Sequence, residues 1–180
     1  MDPAHERNNT LSTLQAAISQ LENSVNNRLF PLEGISFGFA LRGARDSGGV
    51  AAVNGGIKNG RAGRAAAGPC AFGTDEPVVR IILTIMKFNP VLRSVAILQY
   101  SDRALEVLEN DLFLECAPLR AESSQNGIST MDWGIASCCK DGVPDVIFSN
   151  GASTKESRII LSAEGPADVA NNIIICSNRI

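Results

Sequence analysis

Hydrophobic positions along this chain change period several times, and each change marks an element. Leu11, Leu14, Ile18, Leu21 and Val25 recur at helical spacing, with Gln, Ser and Glu between them. They form one apolar stripe on a helix over residues 10–28. Thr10 stands where an N-cap hydroxyl would accept from the first free N–H groups, so residues 1–9 read as a disordered lead. The stripe must pack on something, either the remaining domain (29–180) or a protein partner.

Ile35, Phe37, Phe39 and Leu41 then alternate with Ser36, Gly38 and Ala40, which is the period of a strand. One face of that strand is bulky and the other nearly bare, so a neighbour can approach the bare face closely. After a loop and a short apolar piece at Val50–Val53, residues 54–73 are rich in Gly and Ala and read as loop and irregular strand. Asp75 and Glu76 precede Pro77, a good first-turn residue. The helix they open runs to about Phe88, apolar nearly all round, and Asn89-Pro90 stops it.

Further on, Ser94–Tyr100 reads as a strand and Ser101 as the cap of a helix carrying Leu105, Leu108 and Leu112. Phe113–Ala117 is a candidate strand, and Ala121–Ile128 a polar loop. A helix starts at Ser129 or Thr130 and ends near Asp141-Gly142. Pro144–Phe148 and Arg158–Ala163 are strands separated by a turn at Asn150–Glu156, and Gly165-Pro166 opens a last helix with Val169 and Ile173 inward. Uneven alternation of strands and helices predicts a layered α/β domain with a mixed sheet.

Composition narrows the function. The chain has 180 residues, enough for one domain with its own core, and a net charge of −3. That charge does not suit a general nucleic-acid surface. Lys58, Arg61 and Arg64 are a local exception: a solvated loop or a phosphate-facing one. The polar start is no signal peptide, and no apolar run reaches the roughly 20 residues that span a bilayer. A cytoplasmic protein is expected. Five cysteines occur without a CxxC or a Cys-His set, so they read as small buried hydrophobes rather than disulfides or zinc ligands. The single histidine is His5, in the lead, which leaves Ser-His-Asp catalysis without a base.

Two segments look suited to a phosphorylated ligand. Ser129-Thr130-Met131-Asp132-Trp133-Gly134 offers hydroxyls at a helix start, where free N–H groups suit an anion. It also reads as an ordinary cap with Trp133 in the core and Asp132 serving the cap. Asp145–Glu156, DVIFSNGASTKE, ends a strand in a Gly-bearing turn with Lys155, able to present N–H groups and an ammonium to phosphate. It also reads as a hairpin turn with a surface Lys155–Glu156 pair.

These segments carry a family resemblance. STMDWG, then VPDVIFSNGASTKE, then RIILSAEGPADV resembles the C-terminal half of ThiN-type thiamine-phosphate synthase domains. GFALRGARDSGGVAAV and RIILTIMKFNPVLRSVAILQYSDRALEVLE resemble earlier family segments, so the likeness spans about Leu32 to Ile180. The resemblance implies a three-layer α/β/α fold with a mixed, mostly antiparallel sheet. It implies a site for phosphorylated ligands containing Arg45, Ser129, Thr130, Met131, Asp132, Trp133, Asp145, Gly151, Lys155 and Glu156. It implies joining of a pyrimidine diphosphate to a thiazole phosphate, with magnesium assisting the leaving diphosphate and no tightly bound cofactor.

The departures fall on charged positions. The family's catalytic Arg matches Gly56 and its catalytic His matches Pro77; a further Arg matches Gln99, and Glu76 replaces a neighbouring Arg. Each donor lost from such a site typically removes ~2.7–4 kcal/mol of transition-state stabilisation. The expectation is therefore a binder of thiamine phosphate or its precursors with lost or weak synthase activity. The alternatives are an active synthase in which Arg61 or Arg64 substitutes, and a scaffold that has lost the ligand. Sensing relatives join such a domain to a DNA-binding one, for which the stretch before Leu32 is too short. The expected partners are a phosphorylated small molecule and, at the first helix, a second copy or a protein; no nucleic acid or membrane is expected.

Overall fold

The computed structural model describes residues 2–22, 25–60, 65–119, 130–151 and 157–180, with only the backbone of 130–133. Seven strands form the main sheet in the order β5-β2-β1-β6-β9-β8-β7. They are β1 (Ser36–Ala40), β2 (Val50–Val53), β5 (Cys70–Phe72), β6 (Ser94–Gln99), β7 (Cys116–Pro118), β8 (Val146–Ser149) and β9 (Arg158–Ala163). Every neighbouring pair is antiparallel except β7 with β8. A small hairpin, β3 (Ile57–Asn59) with β4 (Ala65–Ala67), lies outside that sheet. The expected mixed, mostly antiparallel sheet is present, and the described part of residues 54–73, read from sequence as loop and irregular strand, holds three short strands.

Two helical layers sandwich the sheet. One contains α1 (Pro3–Leu21) and α5 (Pro166–Arg179), packed with Phe37, Phe39, Ala51, Leu98 and Leu161 in a single buried cluster. The other contains α2 (Pro77–Phe88) and α4 (Thr130–Cys138), over Ala40, Ala52, Val95, Ile97 and Ile160. A short α3 (Asp102–Glu106), capped by Ser101, continues into a wider turn at Val107–Asp111. The alternation in β1 explains the asymmetry: Phe37 and Phe39 face α1 while Gly38 admits α2. A Cβ at Gly38 would lie 3.0 Å from Ile82 Cδ1 and 3.1 Å from Val78 Cγ1.

The first helix, expected over 10–28, differs in start, in end and in role: it stops at Leu21, and a separate short turn occupies Asn27–Leu29. The helix begins at Pro3, not at Thr10, because Asp2 caps it through the Ala4 N–H and Pro3 fits its first turn. Thr10 instead donates to the Glu6 carbonyl inside the helix. Residues 2–9 are not a disordered lead: Arg7 bonds the Gly48 carbonyl at 3.0 Å and lies 4.0 Å from the Phe72 ring centroid. The apolar stripe of Leu14, Ala17, Ile18 and Leu21 is buried within the domain core. It is an internal surface and offers no docking face to a partner.

Candidate functional site

A cavity of about 460 Å³ opens at the N-terminal end of α2. Its volume lies in the range of small-molecule sites. The floor is the α2-side face of the sheet. Ser36 on β1 is opposite Ile97 on β6, and Gln99, two residues on, is opposite Arg158 on β9. Since side chains two residues apart share a face, these four positions line one surface.

The walls come from two glycine-dependent turns. Gly34 has φ +94°, and a Cβ there would meet the Ile57 carbonyl oxygen at 2.8 Å. This close approach allows Ile35 and Ile57 to exchange N–H···O bonds of 2.8 Å each way, clamping the chain before β1 onto β3. Glu33 is thereby set at the cavity wall. Gly55 and Gly56, at φ +78° and +75°, turn the chain from β2 to β3. The Gly55 N–H donates to Glu76 Oε1 at 2.8 Å, tying that turn to the start of α2. Pro77 completes the wall as the first residue of that helix.

Charge in this cavity is balanced and unevenly buried. Arg158 is only 7% exposed. Its guanidinium donates to Glu33 at 2.5 Å, to the Ser157 carbonyl at 3.0 Å and to Gln99 Oε1 at 3.2 Å. Lys58 and Glu33 are exposed on the rim. Ser36 is buried, and its hydroxyl has no hydrogen-bond partner among the described residues. No group of three Cys, His, Asp or Glu side chains that could hold a metal occurs among those residues. Each of the cavity's two carboxylates has a partner: Glu33 is held by Arg158 and Glu76 by the Gly55 N–H.

The cavity unites some positions singled out from sequence and separates others. Gly56 and Pro77, where the resemblance puts a catalytic Arg and His, share it. Arg45 does not; it lines a second cavity, of about 430 Å³, with Leu83, Met86, Lys87 and Pro90 beside the C-terminal half of α2. The two cavities share no lining residue, so these are distinct places. Asp145 braces the sheet: its Oδ2 accepts from the Glu115 N–H at 2.9 Å and its carbonyl from the Ser162 N–H at 3.0 Å. It lies at the other end of β8 from the Ser149–Arg158 pair, roughly 13 Å along the strand. Gly151 lies on the Arg158 side, its carbonyl accepting from the Ser157 hydroxyl. Thr130, Met131, Asp132 and Trp133 belong to the first turn of α4, whose Ile135 is buried in the α2-side core. Their side chains, with Ser129, Lys155, Glu156, Arg61 and Arg64, lie outside the described residues.

Sequence reasoning missed Arg158, Ser36 and Glu33. Arg158 read only as the opening of a strand, and Ser36 as one of three small residues on a bare face. A cation at the start of an otherwise apolar strand was the available signal.

Fold and cavity define a class: a three-layer α/β/α domain with a small-molecule-sized cleft where the sheet meets the start of a helix. The sequence profile described as thiamine-phosphate synthase ThiN matches residues 13–175. The chain is 32% identical over 166 residues to the bifunctional thiamine biosynthesis protein ThiDN of Methanocaldococcus jannaschii. That match covers 91% of this chain and 39% of the relative, so the chain spans about two fifths of that protein's length. Two crystal structures have the same fold. The C-terminal domain of protein MJ0236 superposes with a TM-score of 0.85 at 27% identity, covering 96% of this chain and 95% of that one. The C-terminal domain of a phosphomethylpyrimidine kinase gives 0.83 at 26% identity, covering 95% and 100%. The chain belongs to the ThiN thiamine-phosphate synthase family and is a domain related to thiamine biosynthesis. No helix among the described residues is long and apolar enough to cross a membrane.

Proposed function

We propose that the cleft at the start of α2 binds thiamine phosphate or its phosphorylated precursors, with synthase turnover lost or weak. One observation carries this: the positions matching the family's catalytic Arg and His, Gly56 and Pro77, share one cavity, and neither bears a donor or a charge. Glu76, a carboxylate, stands between them in the wall. Departure of a diphosphate builds negative charge, and a nearby carboxylate opposes it. Binding asks less, because a phosphate already charged in the ground state is held by whatever cations remain, here Arg158 and Lys58.

Lys155, Glu156 and Ser129–Trp133 enter this proposal as ligand contacts on the strength of the family motifs. Asp145, which braces the sheet, has a position that favours a structural role, and Arg45 lines a separate cavity. Calorimetry with thiamine phosphate, paired with a turnover assay on both precursors plus magnesium, tests the proposal. The expected result is binding with little or no product; absence of binding defeats it. Lys155→Ala is expected to weaken phosphate-bearing ligands at least tenfold while leaving dephosphorylated thiamine within about twofold. Equal losses for both would remove Lys155 as the phosphate contact.

An active synthase is the second reading, favoured by the same Arg158 and Lys58 in the cavity wall. Release of thiamine phosphate from the paired precursors, abolished by Arg158→Gln, would establish it over the first.

A further inference from the structure

We propose that Arg158 and Ser36 form an anion subsite in this cleft, and that the Glu33 carboxylate is a built-in occupant that the ligand's phosphate displaces. The inference deepens the proposed function and rests on the same cavity. The family motifs do not point to these residues; their juxtaposition does.

Arg158 and Glu33 form an asymmetric ion pair. The arginine side chain is 9% exposed and the glutamate 57%. A guanidinium that deep requires a compensating anion, since leaving a buried charge alone is strongly unfavourable. Glu33 has no such requirement; on the rim it is solvated whether or not it is paired. Replacing Glu33 with a ligand phosphate keeps Arg158 compensated throughout and returns one carboxylate to water. Arginine is also the side chain whose planar donor fork best matches phosphate oxygens.

Ser36 supplies the independent observation. Its hydroxyl is buried in the cavity wall and lacks a partner among the described residues. A buried donor without an acceptor is a standing cost to the fold, and a ligand oxygen would remove it. Ser36 and Arg158 are separated by two strand spacings and two residues along the strands, roughly 12 Å of sheet, and the arginine side chain crosses part of it to reach Gln99 on the intervening strand. The start of α2 lies on the same cavity, its positive end toward it. Lys58 on the rim adds a solvated cation.

The subsite therefore suits a phosphate or diphosphate monoanion or dianion carried on a small molecule. The test is calorimetry on the full chain with inorganic pyrophosphate, thiamine phosphate and thiamine, for wild type and three variants. Ser36→Ala is expected to weaken both phosphate-bearing ligands about fivefold while the melting temperature holds or rises, because the unpaired hydroxyl is gone. Glu33→Gln is expected to tighten them about fivefold, because the competing carboxylate is neutral. Arg158→Lys is expected to weaken them at least tenfold. Thiamine, lacking phosphate, should move less than twofold in all three.

Thiamine phosphate that binds wild type, Ser36→Ala and Glu33→Gln equally would overturn the subsite and leave the proposed function standing. Pyrophosphate binding that follows the variants, without any binding of thiamine phosphate or of either phosphorylated precursor, would support the subsite and overturn the proposed function. Wild-type protein that binds none of these would defeat both. Ser36→Ala and Glu33→Gln leave the buried guanidinium in place, so these outcomes discriminate whether or not Arg158→Lys folds.

Discussion

Gly56 combines φ +75° with a crowded surrounding: a Cβ there would lie 3.0 Å from the Glu33 carbonyl oxygen and 3.3 Å from that of Ile35. The turn has therefore taken a backbone that a side chain disfavours, so more than one side chain separates this chain from an arginine at the position. Gly56→Arg is expected to lower stability by about 2 kcal/mol, most of it from the left-handed backbone, and to leave turnover unrestored. Pro77 is different: it is exposed at the first helical position, where histidine fits without strain. Pro77→His is expected to change stability by less than about 0.5 kcal/mol. Urea unfolding of both variants checks the contrast; equal losses would mean the Gly56 turn is not constrained as described. Phe113 is a third special residue, 87% exposed with φ +55°. Phe113→Asn is expected to raise the melting temperature by roughly 2 °C, because asparagine tolerates that conformation better.

At the level of elements, α2 approaches β1 closely. Gly38 permits it, with the Ala51 carbonyl oxygen, Ile82 and Val78 all about 3 Å from where a Cβ would stand. Gly38→Val is expected to cost about 3 kcal/mol by overpacking, lowering the melting temperature by roughly 10 °C. It should also displace the start of α2 and so weaken ligand binding. Unchanged melting would show that α2 can ride outward freely. Here the sequence was legible: the Phe37, Phe39 alternation against Ser36, Gly38, Ala40 announced both a strand and a close neighbour. The stripe of α1 was legible as a stripe, but its destination was not. A hydrophobic face is the same whether α5 or another protein covers it, and only packing decides between them.

Across the whole molecule, the buried thiols link stability to pH. Burial pushes Cys176 up to about 11, with Arg103 opposing, and Cys139 up to about 11, with Cys138 adding to the rise. Cys116 is pushed up to about 12 by burial, then by Glu109, Asp145 and Glu115. In the unfolded chain these thiols ionise near 9 while the folded ones stay protonated, so the unfolded state binds fewer protons above that pH. Stability is then full below about pH 9 and declines as pH rises toward 11. Urea midpoints at pH 7.5, 9 and 10 should fall in that order, with a shallower fall in Cys176→Ala; a flat profile would contradict this. The cysteines read from sequence as small buried hydrophobes; Cys139 and Cys176 are buried as such, while Cys70, Cys116 and Cys138 are half-buried.

Local periodicity and motif order, which depend only on near neighbours along the chain, determined the helices, most strands, the layered class and the likeness to thiamine-phosphate synthases. Which distant residues share a cavity was decided by strand register and by two glycine turns, because a one-residue shift would move every side chain to the other face. Hence Arg158, Ser36 and Glu33 line one cavity with Gly56 and Pro77, while Arg45 stands beside the C-terminal half of α2. Nothing in the spacing of those residues along the chain encodes that meeting; it follows from the sheet and the helix that crosses it.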